Sequence, residues 1–393
     1  MLQNYFMTLP NLLFVTPSMP SPLGTGSMLR AAMTLEALTR RFRVHVLNLN
    51  VWSWGAGRPA FLLNRAASYA EVGNRGEVDS STLLESYFPG IDFVAIHTFK
   101  LVMARVTIGM LAGMKPPHPY LVLDLDDDEC ARSAGMLQLM EQEGDLQAVK
   151  RGRADEAQLR MLERMMVPRF NAISMAGVDD CAVLAKRYPS VAVHHLPNAI
   201  DLPSVGQMTP EQPDAGVAKL LFVGALYYAP NADGICYFVE RVLPLVQQMA
   251  GIPVSLRVVG ADPQRRVSLL ARDPAVSIYP NVPSIAPYYE DADLCIVPLR
   301  AGSGTRIKIL EAFSFRRPIV STQLGAEGLA VTDGEQLLIA DEPEAMARAC
   351  VSLLKEHELR RRVVDSAYSW VMQHHSIANV EAAMDAIYRP VLE

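Results

Sequence analysis

The run Ala301-Gly302-Ser303-Gly304-Thr305-Arg306-Ile307-Lys308-Ile309-Leu310-Glu311-Ala312 joins a glycine-rich turn to an apolar-periodic helix that carries two cations and then a carboxylate. The first turn of a helix exposes unpaired N–H groups and the positive end of the peptide dipoles. Small residues let an anion reach that backbone, which is how many folds hold phosphate. Arg306 and Lys308 add side-chain charge at the same place. Glu311 stands three residues after Lys308 and shares its helix face. A carboxylate beside a phosphate site needs another task, and ribose hydroxyls supply one. The segment therefore reads as a grip for a nucleotide diphosphate. The plain alternative is a loop capped by Ser303 or Thr305.

A second run, Asp124-Leu125-Asp126-Asp127-Asp128-Glu129, ends an apolar strand. It reads as a solvated loop, as an Asp-x-Asp cation site, or as carboxylates that orient or deprotonate a hydroxyl, with Asp126 and Asp127 as candidates. His97 follows another apolar run and reads as a cleft residue or as a packed histidine. His194-His195 and His374-His375 have no cysteine or carboxylate at metal-ligand spacing. Trp52, Trp54 and Tyr227-Tyr228 suit packing or ligand contact. Arg30, Arg40, Arg41 and Arg43 suit a solvated helix end or an anionic membrane surface.

Alternating short strands and helices must position these groups. Strands are expected at 12–15, 44–49, 93–96, 120–125, 172–174 and 191–196, with a helix near 29–38. Residues 204–217 are polar and proline-bearing and read as a linker. The pattern restarts with strands at 220–223, 255–259, 276–279, 294–297 and 319–321, helices at 233–249 and 285–290, and a final helix at 376–392. This is an α/β chain of two doubly wound domains, 1–203 and 218–375. Ligands of such sheets sit at the carboxyl ends of strands, in a crevice between the two domains.

The 393 residues, half of them apolar, suffice for two or three domains. A net charge of −6 argues against an extended nucleic-acid surface. Five cysteines with no CxxC pair suggest neither a zinc site nor a disulfide framework, so a reducing cytoplasm is expected. The best membrane-spanning candidate, 101–114, is short and broken by Arg105. Gly24-Thr25-Gly26 lacks the third glycine and the later acidic residue of a dinucleotide fingerprint.

The ordered set Phe222-Val223-Gly224 with Pro230-Asn231, Val258-Val259-Gly260, Asp291-Ala292-Asp293 with Val297-Pro298, Gly302 to Ala312, Pro318-Ile319-Val320-Ser321 and Gly325-Ala326-Glu327-Gly328-Leu329 resembles the GT-B glycosyltransferases of the retaining family-4 type (glycosyl transferases group 1). The first half resembles them through Pro20 to Gly26, Arg30 and the 124–129 run. The resemblance implies two Rossmann-like domains facing a central cleft, with the helix 376–393 crossing back to the first. It implies transfer of a sugar from a nucleotide-diphosphate donor, UDP type, to an acceptor hydroxyl on a glycan, lipid-linked glycan or small molecule, with retention. No resident cofactor or metal and no nucleic acid is implied, and the setting is cytoplasmic, with peripheral contact at the inner membrane face. On this reading Glu311 holds the ribose, while Gly224, Gly302, Ser303, Gly304, Thr305, Arg306 and Lys308 surround the sugar and its phosphates. Gly24, Thr25 and Gly26 approach the diphosphate, and Asp126, Asp127 and His97 lie on the acceptor side. Arg306, Lys308 and Asp126 would carry the chemistry.

The chain departs from the family at three places. Ser303 replaces the first glutamate of the usual E-x7-E. Ala225 and Asn231 stand where arginine and lysine are usual, leaving Arg306 and Lys308 to bring charge from the opposite wall. Asp126 stands about where a histidine would. A sugar-nucleotide epimerase on the same scaffold and a silent binding partner are the rival readings.

Overall fold

A computed structural model of the chain describes residues 9–22, 24–50, 60–73, 79–200, 216–302 and 304–393. Ser303, Trp52, Trp54 and residues 204–215 of the expected linker lie outside the described residues. By spatial grouping the chain forms two units, one of residues 1–129, 157–198 and 377–393, the other of 130–156 and 199–376.

The first unit is built on β1 (Asn11–Thr16), β2 (Arg43–Asn50), β3 (Ser68–Gly73), β4 (Ala95–Phe99), β5 (Tyr120–Asp126), β6 (Ala172–Met175) and β7 (Ala192–His195). Their order is β3-β2-β1-β4-β5-β6-β7, and every pairing is parallel. A parallel sheet is covered on both faces, so its strands read as unbroken apolar runs. Leu12, Leu13, Phe14 and Val15 are all fully buried. Leu13 and Val15 pack with Met103, Met110 and Val167. Phe14, which points to the other face, meets the His97 ring edge-on at 5.5 Å. The final helix, Ile377–Leu392, groups with this unit, burying Val380, Met384, Ile387 and Tyr388. It answers the expectation of a returning C-terminal helix.

Two sequence readings need correction here. The strand expected at 93–96 is β4 at 95–99, because Phe93 is buried by packing with His45 and Phe88 rather than by strand pairing. His97 is consequently mid-strand, not at a strand end. The edge strand β3 was not expected: only Ala70 among its residues is buried, so it has no apolar run.

The second unit holds β8 (Ala218–Val223), β9 (Val254–Gly260), β10 (Val276–Pro280), β11 (Leu294–Val297), β12 (Ile319–Ser321) and β13 (Leu338–Ile339). The order is β10-β9-β8-β11-β12-β13, again wholly parallel. Alternation along β8 builds two cores. Leu220 and Phe222 pack with Phe238, Val246 and Met346. Leu221 and Val223 pack with Ile309, Leu310 and Phe313. The helix Ile307–Ser314 is thus glued to one face of the sheet by its own apolar stripe. In each sheet the chain winds outward from the first strand and then restarts on its other side. The reversal falls between β1 and β4 in one sheet and between β8 and β11 in the other. Doubly wound sheets bind ligands at the carboxyl edge of that reversal.

Candidate functional site

Gly302, Gly304, Thr305 and Arg306 follow β11, and Gly224 follows β8, so they stand at the carboxyl edge of the second sheet's reversal. The helix Ile307–Ser314 has Arg306 as its N-cap, with extended backbone and no side-chain cap hydrogen bond. The capped-loop alternative through Thr305 therefore does not describe this helix start, and the one through Ser303 lies outside the described residues. The Thr305 hydroxyl is buried with no hydrogen-bond partner among the described residues. Gly302 and Gly304 have φ of 121° and 77°, conformations that a side chain disfavours. A Cβ on Gly302 would lie 3.2 Å from the Arg306 guanidinium, so the missing side chain lets that group fold against the turn. Arg306 is 8% exposed and also donates to the Leu324 carbonyl at 3.4 Å.

Lys308 crosses toward β8. Its ammonium donates to Asn231 Oδ1 at 2.7 Å and sits 4.4 Å from the centre of the Phe222 ring. A Cβ on Gly224 would come within 2.8 Å of the Lys308 nitrogen. Burial pushes the amine down to about 7, Arg306 adds to the fall, and Glu311 opposes it. Glu311 is raised above the ordinary carboxylate range by burial, against the pull of Tyr289 and Lys308. Its Oε2 accepts a 2.9 Å hydrogen bond from Tyr289, whose ring stacks on Phe315 at 5.1 Å. The turn is fastened behind by Arg300, forked onto Asp233 at 2.6 and 3.0 Å, and by Thr322, which donates to the Leu299 carbonyl at 2.6 Å.

The first unit has its own polar edge at the ends of β1, β4 and β5. Thr25 is the N-cap of the helix Gly26–Thr39, again with no side-chain cap bond, and Gly24 before it has φ of 133°. Arg30, 1% exposed, forks onto Asp124 at 2.8 and 3.0 Å and reaches Asn198 Oδ1 at 2.8 Å. Burial works to raise the Asp124 carboxyl, but the Arg30 charge and hydrogen bonds hold it well below the usual range. A register shift follows, and Asp126 takes a left-handed φ of 67°. Lys100, at the end of β4, is left-handed too, at 73°. Its ammonium joins Asp126 at 3.0 Å and Asp127 at 2.8 Å. Non-glycine residues in such backbone are kept there only where their surroundings over-determine them, and this ion-paired triad supplies that constraint.

The structure brings together Gly224, Gly302, Gly304, Thr305, Arg306, Lys308 and Glu311 in the second unit, and Asp126 and Asp127 in the first. Three sequence readings change. His97 is fully buried and hydrogen-bonds Tyr388 of the final helix at 2.8 Å, a packing position rather than an acceptor-side one. Arg30 has no surface to offer a membrane. Arg40 and Arg41 pair with Glu381 and Asp385 on the final helix. The Asp-x-Asp pair is already answered by Arg30 and Lys100, which occupy the place a cation would take. No helix among the described residues is long and apolar enough to cross a membrane. Lys100, Tyr289 and Arg300 were not singled out from sequence. Lys100 and Arg300 come just after β4 and β11, a positional signal that stood in the sequence, whereas Tyr289 lies within the helix Ala286–Glu290 and carries no such signal.

Residues 218–356 match the family model described as Glycosyl transferases group 1. The whole chain is similar in fold to sucrose-phosphate synthase from Thermosynechococcus elongatus, with a TM-score of 0.74 at 14% identity, covering 98% of this chain and 99% of that one. A glycosyltransferase from Rickettsia africae gives 0.69 at 11% identity, covering 98% and 99%. HepE of Anabaena, in complex with UDP-glucose, gives 0.64 at 12% identity, covering 97% and 99%. Among curated proteins, an uncharacterized 44.6 kDa protein in the cps region of Klebsiella pneumoniae is 25% identical over 172 residues, 41% of this chain and 44% of that protein. The match thus spans less than half of that relative's length.

Proposed function

We propose that this chain, which has the GT-B fold and whose residues 218–356 match the glycosyl transferases group 1 model, moves a sugar from a UDP-type nucleotide-diphosphate donor to an acceptor hydroxyl with retention of configuration. The observation that carries the reading is the Lys308 ammonium, delivered by an uncapped helix start to Gly224 and Asn231 at the sheet reversal. The diphosphate lies against Gly302, Gly304 and Thr305, and Ser303 is their neighbour in sequence. As the bond from the anomeric carbon to the bridging oxygen breaks, its electron pair moves onto the diphosphate. Helix-start amides, Arg306 and Lys308 meet that charge, an arrangement that ranks among the largest catalytic terms. The acceptor oxygen bonds the same face of the carbon, and its proton passes to the departing phosphate. Glu311 accepts from the ribose. In the first unit Gly24, Thr25 and Gly26 form a helix start of the same uncapped kind, a candidate phosphate contact, and Asp126 and Asp127 are the candidates to orient a hydroxyl. The acceptor is a hydroxyl on a glycan, lipid-linked glycan or small molecule, and the setting is cytoplasmic.

The test is a thermal-shift screen of nucleoside diphosphates followed by incubation with labelled nucleotide sugars. UDP should raise the melting point, since a ligand that favours the native state stabilises it. Slow donor hydrolysis should follow. Arg306→Ala and Lys308→Ala should each lower turnover by about 100-fold or more while circular dichroism is unchanged. An altered sugar on an intact nucleotide identifies an epimerase instead, and binding with no turnover a silent partner.

A further inference from the structure

Glu311 is a carboxylate held from inside, and the holder is Tyr289. Tyr289 lies on the short helix Ala286–Glu290 between β10 and β11, at 1% exposure. Its ring is fixed by the nearly coplanar stack on Phe315, tilted by only 8°. The phenol hydrogen is therefore aimed at Glu311 Oε2, 2.9 Å away, with the Lys308 carbonyl a longer second acceptor at 3.3 Å. Among the described residues Oε1 accepts no protein hydrogen bond. Burial keeps the phenol protonated, so it donates at every working pH.

A carboxylate that is to accept hydrogen bonds from a ligand must be ionised and must not rotate. One oxygen pinned by a rigid donor leaves the other pointed and available. We infer that Tyr289 is a positioning residue that sets the preference of the site for ribonucleotides over deoxyribonucleotides, by fixing Glu311 as a two-hydroxyl acceptor. This rests on the reading of Glu311 as the ribose holder. Without the phenol the carboxylate swings and loses a charge-assisted bond, the stronger kind of hydrogen bond. Only ligands whose hydroxyls use Glu311 feel that loss.

The experiment measures calorimetric affinities of UDP and of 2′,3′-dideoxy-UDP for the wild-type protein, Tyr289→Phe and Glu311→Gln. Phenylalanine keeps the ring and its stack, and far-UV circular dichroism with a melting curve checks folding. The wild type should bind UDP at least about tenfold more tightly than the dideoxy analogue. Tyr289→Phe should lower that ratio by about threefold or more through weaker UDP binding alone, with dideoxy affinity unchanged. Glu311→Gln should bring the ratio close to one. If Tyr289→Phe keeps the full wild-type ratio, or weakens both ligands equally, the positioning role is overturned while the ribose reading stands. If the wild type itself binds both analogues equally, the ribose reading falls and this inference falls with it.

Discussion

Lys308 sits over the Phe222 ring with Arg306 as its charged neighbour and Asn231 as its hydrogen-bond acceptor. Its amine is held at about 7, so the ammonium is present below that pH and lost above it. Affinity for a diphosphate anion should therefore weaken as pH rises from 6 to 8. Lys308→Met should flatten that dependence, which calorimetry across the range checks. The same shift acts on folding with the opposite benefit. In the unfolded chain the amine titrates near its ordinary 10.5, so below that pH the unfolded state holds the proton more tightly. The penalty is full below about 7 and disappears as pH climbs to 10.5. Lys308→Met should accordingly be more stable at neutral pH, by on the order of 1–2 kcal/mol, as read by denaturant unfolding. Much of this was legible in sequence, because Arg306, Lys308 and Glu311 sit on one helix at readable spacing. Tyr289 and Asn231 were not legible as partners. Each stands far along the chain from the residue it touches, and nothing local marks a long-range hydrogen bond.

The helix Ile307–Ser314 and the end of β8 must come close enough for one lysine to join them. Gly224 makes that approach feasible, since a Cβ there would stand 2.8 Å from both the Lys308 nitrogen and Asn231 Nδ2. Gly224→Ala should push the lysine out and cost about tenfold or more in nucleotide affinity, with only about 1 kcal/mol lost in stability, measured by calorimetry and urea unfolding. The short apolar runs of β11 and β12 were read at their true bounds, while β1 and β8 extend one or two residues beyond the apolar run that marked them. The expected single helix over 233–249 is instead Ala229–Tyr237, a wide turn at Phe238–Val242 and Leu243–Ala250. Pro244 accounts for the interruption: it has no N–H to give the preceding turn. The acidic run after β5 could not be resolved by pattern. Its outcome was decided by Arg30 and Lys100, which come from other elements.

Two units with separate cores should lose structure separately when one core is damaged. Tyr388 is fully buried in the first, edge-on to Phe42 at 5.0 Å and bonded to His97. Tyr388→Ala leaves a void and an unpaired imidazole, and should remove about 3–5 kcal/mol from the first unit. Hydrogen exchange should quicken in β1 and β4 while β8 and β11 keep wild-type protection. The alternation of strands and helices made both sheets readable in advance except for the edge strands β3 and β13. It could not reveal that residues 130–156 group with the second unit, because membership of a unit depends on three-dimensional proximity and not on local pattern.

The helix that ends the chain is also what closes the beginning of it. Val380, Met384, Ile387 and Tyr388 fill a core whose strands were made first. During translation the β1 half must therefore wait, with an uncovered greasy seam, while the whole of the other unit emerges. Residues of the last helix set the moment at which the amino-terminal unit can mature, so nascent chains stalled before residue 377 should be clients of hydrophobe-binding chaperones.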